Sequence, residues 1–298
     1  MMRVGIVDVG PRDGLQNEDK PLTPRVRAEL CEKLAAAGIR RVEAASFVNP
    51  KRVPQMAGAE EVIGAIERRP GTVYAGLVLN EKGYERAISA GVDEVRYAFP
   101  ATEKFAGRNQ NTTVAGATRL AGRLVERARL DGVRVSITLS AAFGDPFEGR
   151  VEPDHVLRIA ERVAEAQPDE VVLADTIGVA VPTQVRELVE GVANLGLTVG
   201  CHFHDTRNTG MANAVAAVES GVTVLDASAG GTGGCPFAPQ ATGNIATEDL
   251  VYLLHGMDHD TGIALEAMIE VAAWMAEQLG KELPGQVYKA GNFEPVAG

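Results

Sequence analysis

Hydrophobic and polar positions along this chain switch repeatedly between two periods. Short runs rich in β-branched residues read as strands: VGIVDVG at 4–10, RRVEAAS at 40–46, VYAGLVL at 73–79, DEVRYAF at 93–99, VRVSITLS at 133–140, DEVVLAD at 169–175, LTVGCHFH at 197–204 and VTVLDAS at 222–228. Longer stretches with the 3.6-residue period of amphipathic helices lie between them, at 24–38, 58–68, 81–91, 112–131, 152–167, 182–195 and 208–220. The segments AGIRRVE, AGVDEVR, DGVRVSI and SGVTVLD each place a glycine at a helix end just before a buried strand, the chemistry of an αβ loop. About eight such units, averaging roughly 35 residues with no Pro/Ser-rich linker, predict an α/β fold. The expected architecture is a single (β/α)8 TIM barrel spanning 1–298, rather than a doubly wound sheet with a second domain. Helices at 247–256 and 262–280 and a tail from Pro284 follow the eighth strand, so an additional C-terminal helical extension is expected over about 262–298.

Composition agrees and removes several function classes. With 45% apolar and 23% charged residues in 298, the chain can bury a full core, which excludes disordered, collagen-like and coiled-coil readings. Its 29 basic against 40 acidic residues give a net charge of −11, and the basic residues are scattered, so no nucleic-acid partner is expected. No apolar run reaches the roughly 18 to 20 residues of a membrane span. Met1, Met2 and Arg3 lead straight into a strand without a secretory signal, so the expected compartment is the cytoplasm. Three widely spaced cysteines, Cys31, Cys201 and Cys235, argue against a disulfide framework and leave room for one functional thiol.

In a barrel of this kind the reactive groups sit at the C-terminal ends of strands and in the following loops. The first strand carries Asp8 and runs into GPRDGLQNE, placing Arg12 and Asp13 at its mouth; Glu43 occupies the second strand; Asp175 ends the sixth; CHFHD ends the seventh. His202 and His204, two apart on a strand, point the same way about 6.6 Å apart. They are expected to ligate one metal ion, with satisfied core histidines as the alternative. Oxygens from Asp13 and Asn244 would complete a mixed set suited to Mg²⁺ or Mn²⁺, with zinc carrying solvent ligands as the alternative. Arg12 is either a surface ion-pair partner of Asp13 or a fixed cation for a developing oxyanion. Asp175 in its DTIG turn either joins this network or caps the next helix. Four glycines precede Cys235 within five residues, which points to a lid that delivers an acid or base, with a buried inert thiol or a metal ligand as the alternatives. Cys31 and Cys201 are expected to be packing residues.

These residues also carry a resemblance. GPRDGLQNE at 10–18, EAASFVNPKRVPQM at 43–56, ADTIGV at 174–179, CHFHDT at 201–206, GGCPFA at 233–238 and GNIATEDLVYLL at 243–254 resemble the 3-hydroxy-3-methylglutaryl-CoA lyase family. That family belongs to the superfamily of isopropylmalate and homocitrate synthases. The resemblance implies metal-dependent retro-Claisen cleavage of 3-hydroxy-3-methylglutaryl-CoA to acetyl-CoA and acetoacetate, a carbon–carbon lyase activity of leucine breakdown. It implies Asp13, His202, His204 and Asn244 as ligands of a divalent cation, and Arg12 as the stabiliser of the enolate. His202 and Asp175 would move the hydroxyl proton, Cys235 would protonate the product carbanion, and Glu43 would support Arg12. It further implies an acyl-CoA substrate and at least a homodimer. Arg207 and Asn208 replace the Tyr-Gly frequent in the family, and SAGGTGGCPF replaces SVAGLGGCPY. These departures leave an isohexenylglutaryl-CoA or citramalyl-CoA lyase as the alternative, and a Claisen-condensing synthase as a more distant one.

Overall fold

In the computed structural model, which describes residues 2–234 and 243–293, the eight predicted runs become the eight parallel strands of a closed barrel. They are β1 Gly5–Asp8, β2 Arg41–Ser46, β3 Val73–Val78, β4 Glu94–Pro100, β5 Arg134–Ser140, β6 Glu170–Asp175, β7 Val199–Phe203 and β8 Val224–Ala227. Each pairs with its neighbours in sequence, and β8 closes the ring against β1. The helices begin and end where local chemistry dictates. Thr23, Asn80 and Thr113 each accept an N–H from the first turn of their helix, at 3.3, 2.9 and 3.0 Å. The four glycines before β2, β4, β5 and β8 all have the positive φ expected of an αβ loop.

Strand alternation divides the side chains into two sets. One set faces the helices and forms the apolar core: Tyr97, Ile137 and Val171 lie in one register row, and Leu173, Cys201 and Leu225 in another, all buried. The other set faces the barrel axis and is unusually polar. At the N-terminal end, Arg41 bonds Glu94 at 2.6 Å and Glu170 at 2.8 Å across the interior, with Arg134 beside both carboxylates. All four are the first residues of their strands, so this lock lies at the face remote from the mouth. One layer higher, Arg96 of β4 meets Asp226 of β8 at 2.8 Å.

Several elements were not visible as hydrophobic periods. A widened turn, Gly10–Gly14, follows β1 directly. The helix Glu103–Gln110 lies before the predicted 112–131 segment, which itself begins at Val114. Only Phe105 and Ala106 of that short helix are buried, too few to write a stripe into the sequence. The C-terminal extension consists of Thr247–Gly256, Leu265–Leu279 and a short turn Val287–Ala290. Its tail is tied down: the Asp249 carboxylate accepts N–H groups from Gln286 and Val287, and Gly285 N–H bonds Gly230 C=O at 2.9 Å. No helix among the described residues is long and apolar enough to cross a membrane.

Candidate active site

The mouth is built first by the turn after β1. Its N–H groups at Arg12, Asp13 and Gly14 converge on the Val9 carbonyl at 3.1, 2.7 and 3.2 Å, which turns Arg12 and Asp13 toward the barrel axis. The turn lies so close to the loop after β8 that a Cβ on Gly14 would stand 2.4 Å from Thr232 Oγ1. Glycine is required there by space. Gly233, at φ 134°, does the same for Asn244, whose Nδ2 would be 2.5 Å from any Cβ.

Asp13, His202 and His204 present ligand atoms that all lie within 4.8 Å of one another. Asp13 Oδ2 is 3.6 Å from His204 Nε2 and accepts a 2.9 Å hydrogen bond from Asn244 Nδ2. Several polar atoms in this cluster are buried and unpartnered: both ring nitrogens of His204, one of which carries a lone pair in the neutral ring, and Oδ1 of Asn244. Buried polar atoms without partners are costly, and a divalent cation would satisfy the lone-pair nitrogen of His204 and the Asn244 oxygen. His202 is already oriented for such a role, because its Nδ1 faces Asp226 Oδ2 at 3.2 Å and leaves Nε2 toward the cavity. Burial alone would lower the His202 pKa, but the hydrogen bond to Asp226 and the charge of Asp13 outweigh it and raise it.

Arg12 closes the other side of the cluster. Its Nε bonds Glu43 Oε2 at 2.8 Å and its Nη1 bonds Asp13 Oδ1 at 2.5 Å. Burial would push the Asp13 carboxyl up; the Arg12 guanidinium, then the two histidines, outweigh burial and hold it well below the usual carboxylate range. Asp13 is therefore ionised at neutral pH, the form a cation would bind. The cavity over the barrel axis is lined by Arg12, Asp13, Glu43, Arg96, His202 and Asp226, with an apolar wall that includes Leu77 and Phe105. Arg96 and Asp226 were missed in the sequence. Asp226 sits in VTVLDAS, and its register with His202 of β7 is the signal that identifies it as the second carboxylate behind the histidine.

A match to known proteins decides the family. The HMGL-like family profile covers residues 3–275. The chain belongs to the HMGL-like family. This HMGL-like chain is 44% identical to the (R)-citramalyl-CoA lyase of Chloroflexus aurantiacus, across 99% of its own length and 97% of the relative. It is 41% identical to the 3-hydroxy-3-isohexenylglutaryl-CoA/hydroxymethylglutaryl-CoA lyase of Pseudomonas aeruginosa, across 97% of both. Among solved structures it superposes on an HMG-CoA lyase of Acinetobacter baumannii, in complex with coenzyme A and 3-methylmalate, with a TM-score of 0.94. Identity there is 35%, over 99% of this chain and 98% of that one.

Within the HMGL-like barrel not every predicted site residue reaches the cavity. Asp175 pairs in register with Phe203, one residue past the inward row of Ala174 and His202, so strand alternation turns it outward. Both its oxygens accept loop N–H groups, from Val179 and Ala180 at 2.9 Å each. It holds the loop ahead of the helix Pro182–Ala193 without capping that helix, as the DTIG alternative had it, and it meets the histidines only through their charge. Arg207 donates to the Ile177 and Gly178 carbonyls at 3.1 and 2.8 Å and does not line the cavity. Cys235 lies outside the described residues. Cys31 and Cys201 are buried, and burial pushes both thiols up.

Behind the site, Asp8 faces the C-terminal helix instead of the axis, accepting hydrogen bonds from Thr247 Oγ1 at 2.7 Å and Gly10 N–H at 2.8 Å. Burial pushes it up to about 7, and neighbouring Glu248 to about 8. A carboxyl whose pKa is raised on folding stabilises the protein while protonated, and that contribution is lost as pH rises. For Asp8 the loss runs from about 4 to about 7, at roughly 1.4 kcal/mol per pH unit. Asp8→Asn is expected to flatten this slope in urea unfolding curves taken between pH 5 and 8. An unchanged slope would show that Asp8 is ionised throughout.

Proposed function

We propose that this chain cleaves the carbon–carbon bond of a 3-hydroxyacyl-CoA with the help of a divalent cation, its first substrate being 3-hydroxy-3-methylglutaryl-CoA and its products acetyl-CoA and acetoacetate. The observation that carries this reading is the set of unpartnered donors on His204 and Asn244 beside Asp13, with the Arg12 guanidinium against the same carboxylate. Asp13, His202, His204 and Asn244 would hold Mg²⁺ or Mn²⁺, which when bound supplies Lewis acidity to the substrate's hydroxyl and acyl oxygens. The remaining work falls to the chain. A base among His202 and Asp13 takes the C3 hydroxyl proton as the C3–O bond becomes a carbonyl. The C2–C3 bond breaks, and its electron pair moves into the thioester enolate. Arg12, fixed by Glu43 and Asp13, faces that developing negative charge as a preorganised cation. A proton returned to C2 completes acetyl-CoA; Cys235 is the residue we assign to that step from the resemblance alone.

A second substrate is favoured by the 44% identity to a citramalyl-CoA lyase. Citramalyl-CoA is one methylene shorter, carries its carboxylate on the carbinol carbon, and would yield acetyl-CoA and pyruvate by the same bond changes. The test is a coupled assay for acetyl-CoA release from both thioesters, with EDTA and again after restoring Mg²⁺ or Mn²⁺. Metal-dependent release from either supports retro-Claisen cleavage, and the larger kcat/KM assigns the substrate. Release unaffected by EDTA, or none from either, overturns it. A cytoplasmic homodimer acting in leucine breakdown completes the proposal when the glutaryl thioester is preferred.

A further inference from the structure

The described cavity contains a second guanidinium whose donors are largely unspent. Arg96, third in β4, is only 2% exposed. It bonds Asp226 through one nitrogen, Nη2, at 3.0 and 2.8 Å to the two carboxylate oxygens. Its Nε and Nη1 are buried and have no hydrogen-bond partner. That leaves three N–H donors in a low-dielectric interior, where unmet charged donors are expensive. Arg12 differs: its Nε, Nη1 and Nη2 are all engaged by Glu43 and Asp13. One N–H on each Arg12 Nη remains for the developing enolate, whereas among the described residues lining the cavity Arg96 is the guanidinium with two whole nitrogens unengaged.

Charge bookkeeping at the cavity points the same way. The lining carries three carboxylates, Asp13, Glu43 and Asp226, against two guanidiniums, Arg12 and Arg96. With neutral histidines and a divalent cation added the sum becomes +1, which a single substrate carboxylate cancels. The thioester end of the substrate is neutral and cannot do this. Gln110 Oε1 and the hydroxyls of Thr138 and Ser140 give the remaining wall hydrogen-bonding capacity without further charge.

We infer that Arg96 anchors the free carboxylate of the acyl chain, so that the site selects 3-hydroxy diacid monothioesters over neutral 3-hydroxyacyl thioesters. This rests on the proposed cleavage reaction. Asp226 holds Arg96 from one side and His202 from the other, so one carboxylate ties the anchor to the histidine of the proposed metal cluster. A substrate gripped at Arg96 is thereby placed in register with the groups that act on its carbinol carbon.

The test compares 3-hydroxy-3-methylglutaryl-CoA with the same thioester carrying its distal carboxylate as a methyl ester, both on the metal-loaded full chain. Wild type is expected to prefer the acid by about 100-fold in kcat/KM, mostly through KM, in line with the loss of a buried charge pair. Arg96→Met is expected to collapse the acid-to-ester ratio from about 100 toward one, the loss falling on the acid, whereas a mere brace would lower both and keep the ratio. Arg96→Lys should recover part of the acid activity. Mn²⁺ affinity, read by electron paramagnetic resonance, should stay within about 3-fold, whereas a mere brace for Asp226 and His202 would lower it and depress both thioesters together. Equal efficiency for acid and ester in wild type overturns the anchor even if no variant folds. Cleavage of neither thioester by metal-loaded wild type overturns the reaction itself, and the anchor with it.

Discussion

His204→Ala is expected to lower the affinity for Mg²⁺ or Mn²⁺ by more than about 100-fold and to abolish acetyl-CoA release at ordinary metal concentrations. The reason lies in its surroundings. His204 is 2% exposed, its two ring nitrogens have no partner, and its Nε2 stands 3.6 Å from Asp13. A water entering the space left by the imidazole would be a weaker ligand with nothing behind it to orient it. Asp226→Asn makes the informative contrast, because Asp226 orients His202 instead of facing the proposed cation itself. Its expected cost is about 10-fold to 100-fold in metal affinity. Titration of Mn²⁺ followed by electron paramagnetic resonance ranks the two. Wild-type affinity in His204→Ala would remove His204 from the site and the metal reading with it.

Arg12→Gln is expected to reduce kcat by about 1,000-fold, the scale of losing a preorganised donor to a developing oxyanion. It carries a second signature in pH. The Arg12 charge is the largest influence holding the Asp13 carboxyl down. Without it that carboxyl titrates at higher pH, and protons compete with the cation where wild type is still loaded. Metal affinity in Arg12→Gln should therefore fall more steeply between pH 8 and pH 5 than in wild type. Arg12→Lys is expected to restore little, since one ammonium cannot serve Glu43 and Asp13 through separate nitrogens as the guanidinium does. An unaltered pH dependence of Mn²⁺ binding would show that Asp13 is held down by the histidines alone.

The site divides into parts written locally and parts that are not. His202 and His204 are legible because strand alternation is a rule of period two, and Arg12 with Asp13 because they follow a strand end directly. Glu43 was legible as a charge inside an apolar strand. Asp226 offers the same kind of signal, yet its meaning depends on Arg96, 130 positions away, and on register with His202. Asn244 and Asp13, 231 positions apart, meet only when the ring of strands closes. Asp175 shows the opposite case: its alternation relative to Ala174 was present in the sequence, and the outward direction follows from which register row His202 occupies.

By itself the sequence determined the strand and helix rhythm, the glycine-ended αβ loops and the barrel, because each depends on neighbours within a few residues and on the sorting of apolar side chains from water. It also determined most of the candidate ligands, through residue types that serve poorly as core. Only the tertiary structure decided which polar side chains share the axis, that Arg41, Glu94 and Glu170 lock the far end, and that Arg96 reaches the cavity with donors to spare. Those outcomes depend on the shear of a closed barrel, which sets side by side residues from strands far apart in the chain, and no local period encodes that distance.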